Sequence, residues 1–315
     1  MDLGPPFWNQ STPPPQEGEK IGKYVVIESV IPDPTNCSYI YSCLDTDDNQ
    51  KKVIKFIKFI ERKISRISSE VETLNSVHHP FIIQMEKCFR YKEYMCIVIP
   101  YVPNGSLHRL MITDFKEGMT ESMAAVIMYQ MLSAVRYLHS MNIWHRDIKP
   151  DNFLVMDSDP FHPVVVLNDF GYAKIFNSDE KGHEFMGTPE FLPPEIVNGI
   201  PYDNTVDTWS LGITLFVMLT CRYPTPSYSK YPTRCKKMIS KGILNFQLLK
   251  EMEISNEAID LVHKMCMVDP ESRITLTEAL LHPWVRSRNK TEVENEVASA
   301  LYAGEEYEYE FGNYT

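Results

Sequence analysis

Long hydrophobic runs are missing from this sequence of 315 residues. The most apolar stretch, about Leu211 to Cys221, falls far short of the roughly 20 residues that cross a bilayer, so no membrane span is expected. Cysteine pairing is missing too. The seven cysteines, at 37, 43, 88, 96, 221, 235 and 266, are odd in number and never form Cys-x-x-Cys. That argues against a disulfide framework or a zinc site and suits a reducing compartment, so a cytoplasmic location is expected with the nucleus left open. Positive charge is short: 31 Lys and Arg face 42 Asp and Glu, a net charge of −11. A nucleic-acid binder working through a basic surface is therefore not expected. Much of the excess is local, since residues 291–315 hold seven glutamates and no Lys or Arg. The opening Met1-Asp2-Leu3-Gly4 lacks the basic then apolar order of a secretory leader. What remains, 43% apolar and 23% charged residues, is an ordinary globular composition, long enough for one large catalytic unit or two sub-domains.

Five prolines (5, 6, 13, 14 and 15) mark residues 1–20 as a flexible arm. Folding pattern begins at Tyr24-Val25-Val26-Ile27, with β-rich runs at 38–44, 52–60, 81–90 and 94–100. Helical spacing over 62–77 stops before His79-Pro80. Beyond Pro100 the pattern turns helical. Residues 121–140 put Ala124, Ile127, Met128, Met131, Leu132, Val135 and Leu138 on one face, and 205–221 is apolar nearly all round, which predicts a buried helix. The tail after residue 288 is acidic and carries Tyr302, Tyr307, Tyr309 and Tyr314. There are no internal repeats.

Two short segments carry chemistry. His145-Arg146-Asp147-Ile148-Lys149-Pro150-Asp151-Asn152 lies between the long helix and the strand Phe153-Leu154-Val155-Met156. Phosphoryl transfer needs a carboxylate to orient a hydroxyl and an oxygen ligand for magnesium, and Asp147 and Asn152 supply both from one loop. Asn168-Asp169-Phe170-Gly171 follows the strand Val164-Val165-Val166-Leu167, which suits Asp169 to gripping a phosphate-bridging metal. Together, in this order, they are far more specific than either alone.

From about residue 24 to 288 the chain resembles the eukaryotic protein kinase family, serine/threonine type, and its arrangement is similar to the calmodulin-dependent-kinase-like group. The resemblance implies an α+β, bilobal fold over 21–288: an antiparallel-sheet N-lobe with one helix (21–100) and a mainly helical C-lobe (103–288), followed by the tail 289–315. It implies ATP and Mg2+ in the cleft and proteins as substrates, and leaves the oligomeric state open. Val53-Ile54-Lys55 resembles the family's Val-Ala-Ile-Lys, so Lys55 would hold the α- and β-phosphates, partnered by Glu70. Asn152 and Asp169 would be the metal ligands, and Lys149 with Thr188 would support Asp147 and mark serine/threonine choice. Around adenine the resemblance implies Ile99 as gatekeeper, Pro100 and Val102 at the hinge, Ile31, Ile40 and Val53 above and Leu154 below. Gly187-Thr188-Pro189-Glu190-Phe191-Leu192-Pro193-Pro194-Glu195 resembles the end of the activation loop, with Pro193 in place of Ala. Asp207, Trp209 and a Glu195–Arg273 pair would hold the lobe together.

The pattern breaks in three places. Where the family has a glycine-rich loop, residues 31–41 contain no glycine, and Pro32 and Pro34 cannot donate N–H bonds to phosphate. Thr35, Asn36, Cys37 and Ser38 keep their donors, so the loop contributes less well; an active enzyme with weakened ATP affinity and a pseudokinase scaffold both remain open. Glu184 stands where many relatives have a phosphorylated threonine, and Arg66, Arg146 and Lys174 would receive it, making Glu184 either a built-in phosphate mimic or a solvated loop residue. Ser106 and Val217 replace acidic residues of arginine-directed relatives while Asp151 keeps one, which argues against strict arginine-directed choice. Tyr172 would favour serine over threonine. The tail is open to three readings: a partner dock, a fold-back onto Lys51, Lys52, Lys58, Arg62 and Lys63, or a solvated disordered end.

Overall fold

The computed structural model describes residues 14–33, 38–59, 64–159 and 163–287. Residues 1–13 of the expected arm, Thr35, Asn36 and Cys37 of the loop, Arg62, Lys63 and the tail 289–315 lie outside them.

The N-terminal lobe is a six-stranded sheet of β1 (Lys20–Ile21), β2 (Tyr24–Asp33), β3 (Ser38–Asp45), β4 (Lys51–Lys58), β5 (Lys87–Tyr91) and β6 (Tyr94–Pro100), with one helix, α1 (Ile64–Ser76). Its order is β1-β2-β3-β4-β6-β5, and the pairings are antiparallel. Alternation along β4 decides what each face does. Tyr41, Ile54 and Val98 are cross-strand partners, as are Tyr39, Phe56 and Cys96. They point outward and, with Ile21, Tyr24, Val26, Cys43 and Tyr94, close a separate small core. Phe56 sits edge-on to Tyr41 and Tyr94 at 5.8 and 6.2 Å. The other face carries Ile40, Lys55 and Ile97 as partners, then Val53 and Ile99. A one-residue slip of β4 would exchange the two sets and place Lys55 in the aromatic core.

The apolar run at 81–90 is only partly a strand. β5 begins at Lys87. The preceding Phe81-Ile82-Ile83 ties the lobes together instead: Leu167 N–H donates to the Phe81 carbonyl at 2.8 Å and Ile83 N–H to the Leu167 carbonyl at 2.9 Å. Apolar content alone cannot separate a sheet strand from such a buried connector. The arm also ends earlier than residue 20. The Tyr91 hydroxyl donates to Glu19 at 2.6 Å and the Lys92 ammonium at 3.0 Å, which fixes Glu19 against the sheet.

The C-terminal lobe contains α2 (Leu107–Asp114), α3 (Glu121–Ser140), β7 (Ile143–Trp144), β8 (Phe153–Asp157), β9 (Val164–Leu167), β10 (Lys174–Ile175), α4 (Pro194–Val197), α5 (Thr205–Thr220), α6 (Pro232–Ser240), α7 (Gln247–Glu251), α8 (Asn256–Met265), α9 (Leu276–Leu281) and α10 (Pro283–Arg286). Thr120 caps α3, its side chain accepting from Met123 N–H. α5 is buried from Val206 to Thr220 and passes through the middle of the lobe. Gly212 is obligatory there, since a Cβ would come within 2.6 Å of the Cys266 sulfur and 2.8 Å of Met265 Cβ. The two-stranded pairs β8–β9 and β7–β10 carry the chemically interesting loops to the face below the sheet. Among the described residues no helix is long and apolar enough to cross a membrane.

Candidate active site

Lys55 reaches down from β4 and Glu70 reaches in from α1, and their charged ends meet at 2.6 Å. The same Lys55 nitrogen lies 2.7 Å from Asp169, which follows β9. Burial works against the Lys55 ammonium, but the carboxylates of Asp169 and Glu70 outweigh it and raise the amine above its usual value. Asp169 is held far below the carboxylate range, first by the Lys55 charge, against the cost of burial. Burial pushes Glu70 upward, with Lys55 opposing. Asp169 adopts a left-handed backbone (φ 58°), an uncommon conformation for a residue with a side chain. Gly171 N–H closes back on its Oδ1 at 3.3 Å, and the buried Phe170 ring packs beside His145 at 5.2 Å.

The loop after β7 supplies the second cluster. Asp147 is buried and accepts from Lys149 at 2.9 Å and from Asn152 at 3.0 Å through Oδ2. Its other oxygen accepts from the Thr188 N–H at 2.9 Å and hydroxyl at 2.7 Å. Lys149 also donates to Thr188 Oγ1 at 2.6 Å. Thus three residues from the loop are locked to one that arrives 41 positions later. The loop's shape is imposed from below. Arg146 has φ 64°, strained for arginine, and the fully buried Asp207 at the start of α5 holds it by accepting from the His145 and Arg146 N–H groups at 2.9 and 2.8 Å. Burial raises the Asp207 carboxyl, but His139 and His145 prevail and leave it lowered. Under the activation-loop end, Glu195 and Arg273 form a buried bidentate pair at 2.7 and 2.8 Å.

Between the lobes lies a cavity of about 380 Å³. Ile40, Val53, Lys55 and Ile99 line it from the sheet, Pro100 and Val102 from the connection, Asn152, Leu154 and Asp169 from below. Of the adenine-site residues expected from sequence, Ile31 is placed by its backbone opposite Ile40. Val30, Leu74, Tyr101 and Arg109 line the cavity as well and were not foreseen. A bulge between Ser29 and Ile31 is a feature that strict alternation cannot reveal. Asn152 donates through its amide nitrogen to the Asp147 carbonyl at 2.7 Å, which leaves the amide oxygen as the end able to ligate a cation. With an Asp169 carboxylate this is a hard-oxygen set, suited to Mg2+. Among the described residues no three His, Cys, Asp or Glu side chains cluster as a metal cage.

The pocket foreseen around Glu184 is corrected in part. Arg146 NH1 meets Glu184 Oε2 at 2.5 Å. Lys174 instead pairs with Glu180 at 2.8 Å, and Arg66 donates to the Gly171 carbonyl while its guanidinium lies 4.0 Å over the Tyr172 ring. A single carboxylate satisfies one guanidinium at contact distance, and the other two cations are engaged elsewhere. Lys174 and Arg66 still act at longer range: the Arg146 bond, with charges on Arg146, Lys174 and Arg66, lowers the Glu184 carboxyl against the cost of burial. Tyr202, unforeseen, completes the site, its hydroxyl donating to the Glu184 carbonyl at 3.1 Å.

Residues 36–285 match the family model described as protein kinase domain. The chain is 35% identical over 243 residues to the serine/threonine-protein kinase cds1 of Schizosaccharomyces pombe, covering 75% of this chain and 51% of that protein. It is 33% identical over 254 residues to calcium-dependent protein kinase 3 of Plasmodium yoelii yoelii (79% and 46%), and 35% identical over 225 residues to myosin light chain kinase A of Dictyostelium discoideum (71% and 74%). It thus spans about half the length of the first two relatives. With that likeness extending over both lobes and the cleft between them, the chain belongs to the eukaryotic protein kinase family, on its serine/threonine branch.

Proposed function

We propose that the chain transfers the γ-phosphoryl group of ATP to serine or threonine hydroxyls of proteins, with Mg2+ in the cleft. The observation that carries this reading is the joining of Asp147, Lys149, Asn152 and Thr188 into one bonded set facing Lys55 and Asp169. Lys55, kept charged by its two carboxylates, is placed to bind phosphate oxygens. Asp147 accepts the acceptor hydroxyl's hydrogen bond, orienting its oxygen for attack on the γ-phosphorus; the new O–P bond forms as the bond to the β-phosphate oxygen breaks, and the proton leaves toward Asp147. Lys149 and Thr188 hold the Asp147 carboxylate still and offset negative charge. Asn152 and Asp169 would hold Mg2+, which would supply charge neutralisation of the phosphate tail. Ile40, Val53 and Leu154 exclude water from the base.

The glycine-free hairpin favours a second reading, a pseudokinase that binds nucleotide or serves as a scaffold. Radiolabelled-ATP transfer beside an Asp169→Ala control separates the two: signal in the parent alone supports the enzyme, equal signal in both removes it. Thermal-shift titration with and without Mg-ATP tests binding itself.

Glu184, on this reading, stands in for a phosphothreonine with one charge and keeps the segment ordered without phosphorylation; its contact with Arg146, neighbour of Asp147, supports this. On this reading substrate choice is not strictly arginine-directed. Arg109, an exposed cation, lines the cleft close to Ser106, whose hydroxyl accepts its N–H at 3.2 Å, and Asp151 is engaged by His108 at 3.4 Å.

A further inference from the structure

Between Tyr223 and Lys250 the chain contains no Asp or Glu, although the protein as a whole carries a net charge of −11. Lys230, Arg234, Lys236, Lys237 and Lys241 fall in this stretch, on or beside α6, and all five are exposed. None of them forms an ion pair among the described residues; Lys236 lies over the rings of Phe185 and Tyr228 at 5.4 and 5.7 Å. Beside the helix runs a groove of about 500 Å³ whose walls include Tyr223, Pro226, Arg234, Met238 and Ile243. Tyr223, Tyr231 and Ile243 are 39%, 54% and 49% exposed, so cationic and apolar surface adjoin. Such a surface fits an acidic segment with interleaved aromatics.

The chain has a segment of that composition. Residues 302–314 contain Glu305, Glu306, Glu308 and Glu310 among Tyr302, Tyr307, Tyr309, Phe311 and Tyr314. The sheet-lobe lysines are poorer complements. Lys52 is held by Glu86 at 2.9 Å and Lys58 by Glu93 at 3.3 Å. Residues 288–301 span up to about 50 Å when extended, whereas a domain of this size has a radius of gyration of about 18 Å, so the helical lobe is within reach from Ser287.

We propose that Tyr302–Tyr314 docks in cis on α6 and its groove, with glutamates against Lys230, Arg234, Lys236 and Lys237 and aromatic rings against Tyr223 and Ile243. The experiment is lysine acetylation footprinting of the full chain at low protein concentration, read by mass spectrometry. The parent is compared with the variant Glu305→Gln, Glu306→Gln, Glu308→Gln, Glu310→Gln. Lys230, Lys236 and Lys237 are expected to react roughly threefold or more slowly in the parent at low salt, with the difference shrinking at 1 M salt, where charges are screened beyond about 3 Å. Equal rates in the two proteins overturn the proposal, as does protection of Lys51 and Lys58 instead. Protection that grows with protein concentration assigns the surface to a second copy, and protection that appears only after adding an acidic substrate peptide assigns it to a partner; either overturns docking in cis. The readout needs no catalysis, so it stands or falls separately from the kinase reading.

Discussion

Below the cleft, Asp147 has both oxygens occupied by Lys149, Asn152 and Thr188, and the loop that carries it is tied to Asp207 on a buried helix. Above it, the β2–β3 hairpin contains Pro32 and Pro34 and no glycine between residues 31 and 41. The floor fixes side chains through a through-space network, so each member is over-determined. A roof of this kind works through backbone N–H groups, and proline removes two of them. On the proposed function the difference teaches where tolerance should lie: positioning of the hydroxyl would depend on the floor, while the roof would bear chiefly on nucleotide affinity.

That contrast can be broken by substitution. Asp147→Asn is expected to lower phosphoryl transfer by about 10³-fold while leaving the Mg-ATP-induced thermal shift in place; retention of near-parental rate would refute the floor's role. Arg273→Ala, which strands the buried Glu195 carboxylate, is expected to cost about 3–5 kcal/mol of stability, measured by chemical denaturation. Glu184→Ala removes a charge-assisted bond and should slow transfer by about tenfold, with no change on phosphatase treatment of the parent. The pH dependence has a definite sign. The Glu184 carboxyl is lowered by Arg146, so its contribution is present above the ordinary value of 4.5 and is lost as pH falls through the lower folded value. Loop protection measured by limited proteolysis should therefore be flat at neutral pH and fail only below about 4.5. The smallest effect is expected at the roof: Pro34→Gly should lower the KM for ATP by about threefold with kcat unchanged, and a larger change in kcat than in KM would reverse the contrast.

Much of the site was legible because short segments carry whole functions. Asp147 and Asn152 are five residues apart on one loop, and Asp169 ends a strand recognisable by its run of valines. The helices α3 and α5 also follow from spacing, as does the all-round burial of α5, but α3 is buried well beyond the one face its spacing marks, continuously from Ile127 to Val135 and including Gln130 and Ser133. The run at 81–90 was misread because connector and strand share the same apolar signal, and Val30 was missed because a bulge breaks alternation. Tyr202 carries no local signal; it reaches the Arg146–Glu184 contact only through the path of the chain before α5.

Sequence by itself determined the periodicities, the two-lobed order and the set of charged groups available to the cleft, because these depend on residues near one another along the chain. Tertiary structure decided which charge answers which: Arg146 takes Glu184, Lys174 takes Glu180, and Arg66 takes the Gly171 carbonyl and the Tyr172 ring. The physical reason is the steep fall of contact electrostatics and hydrogen bonding with distance, so partners are chosen by ångströms across space, a quantity that no spacing along the chain contains.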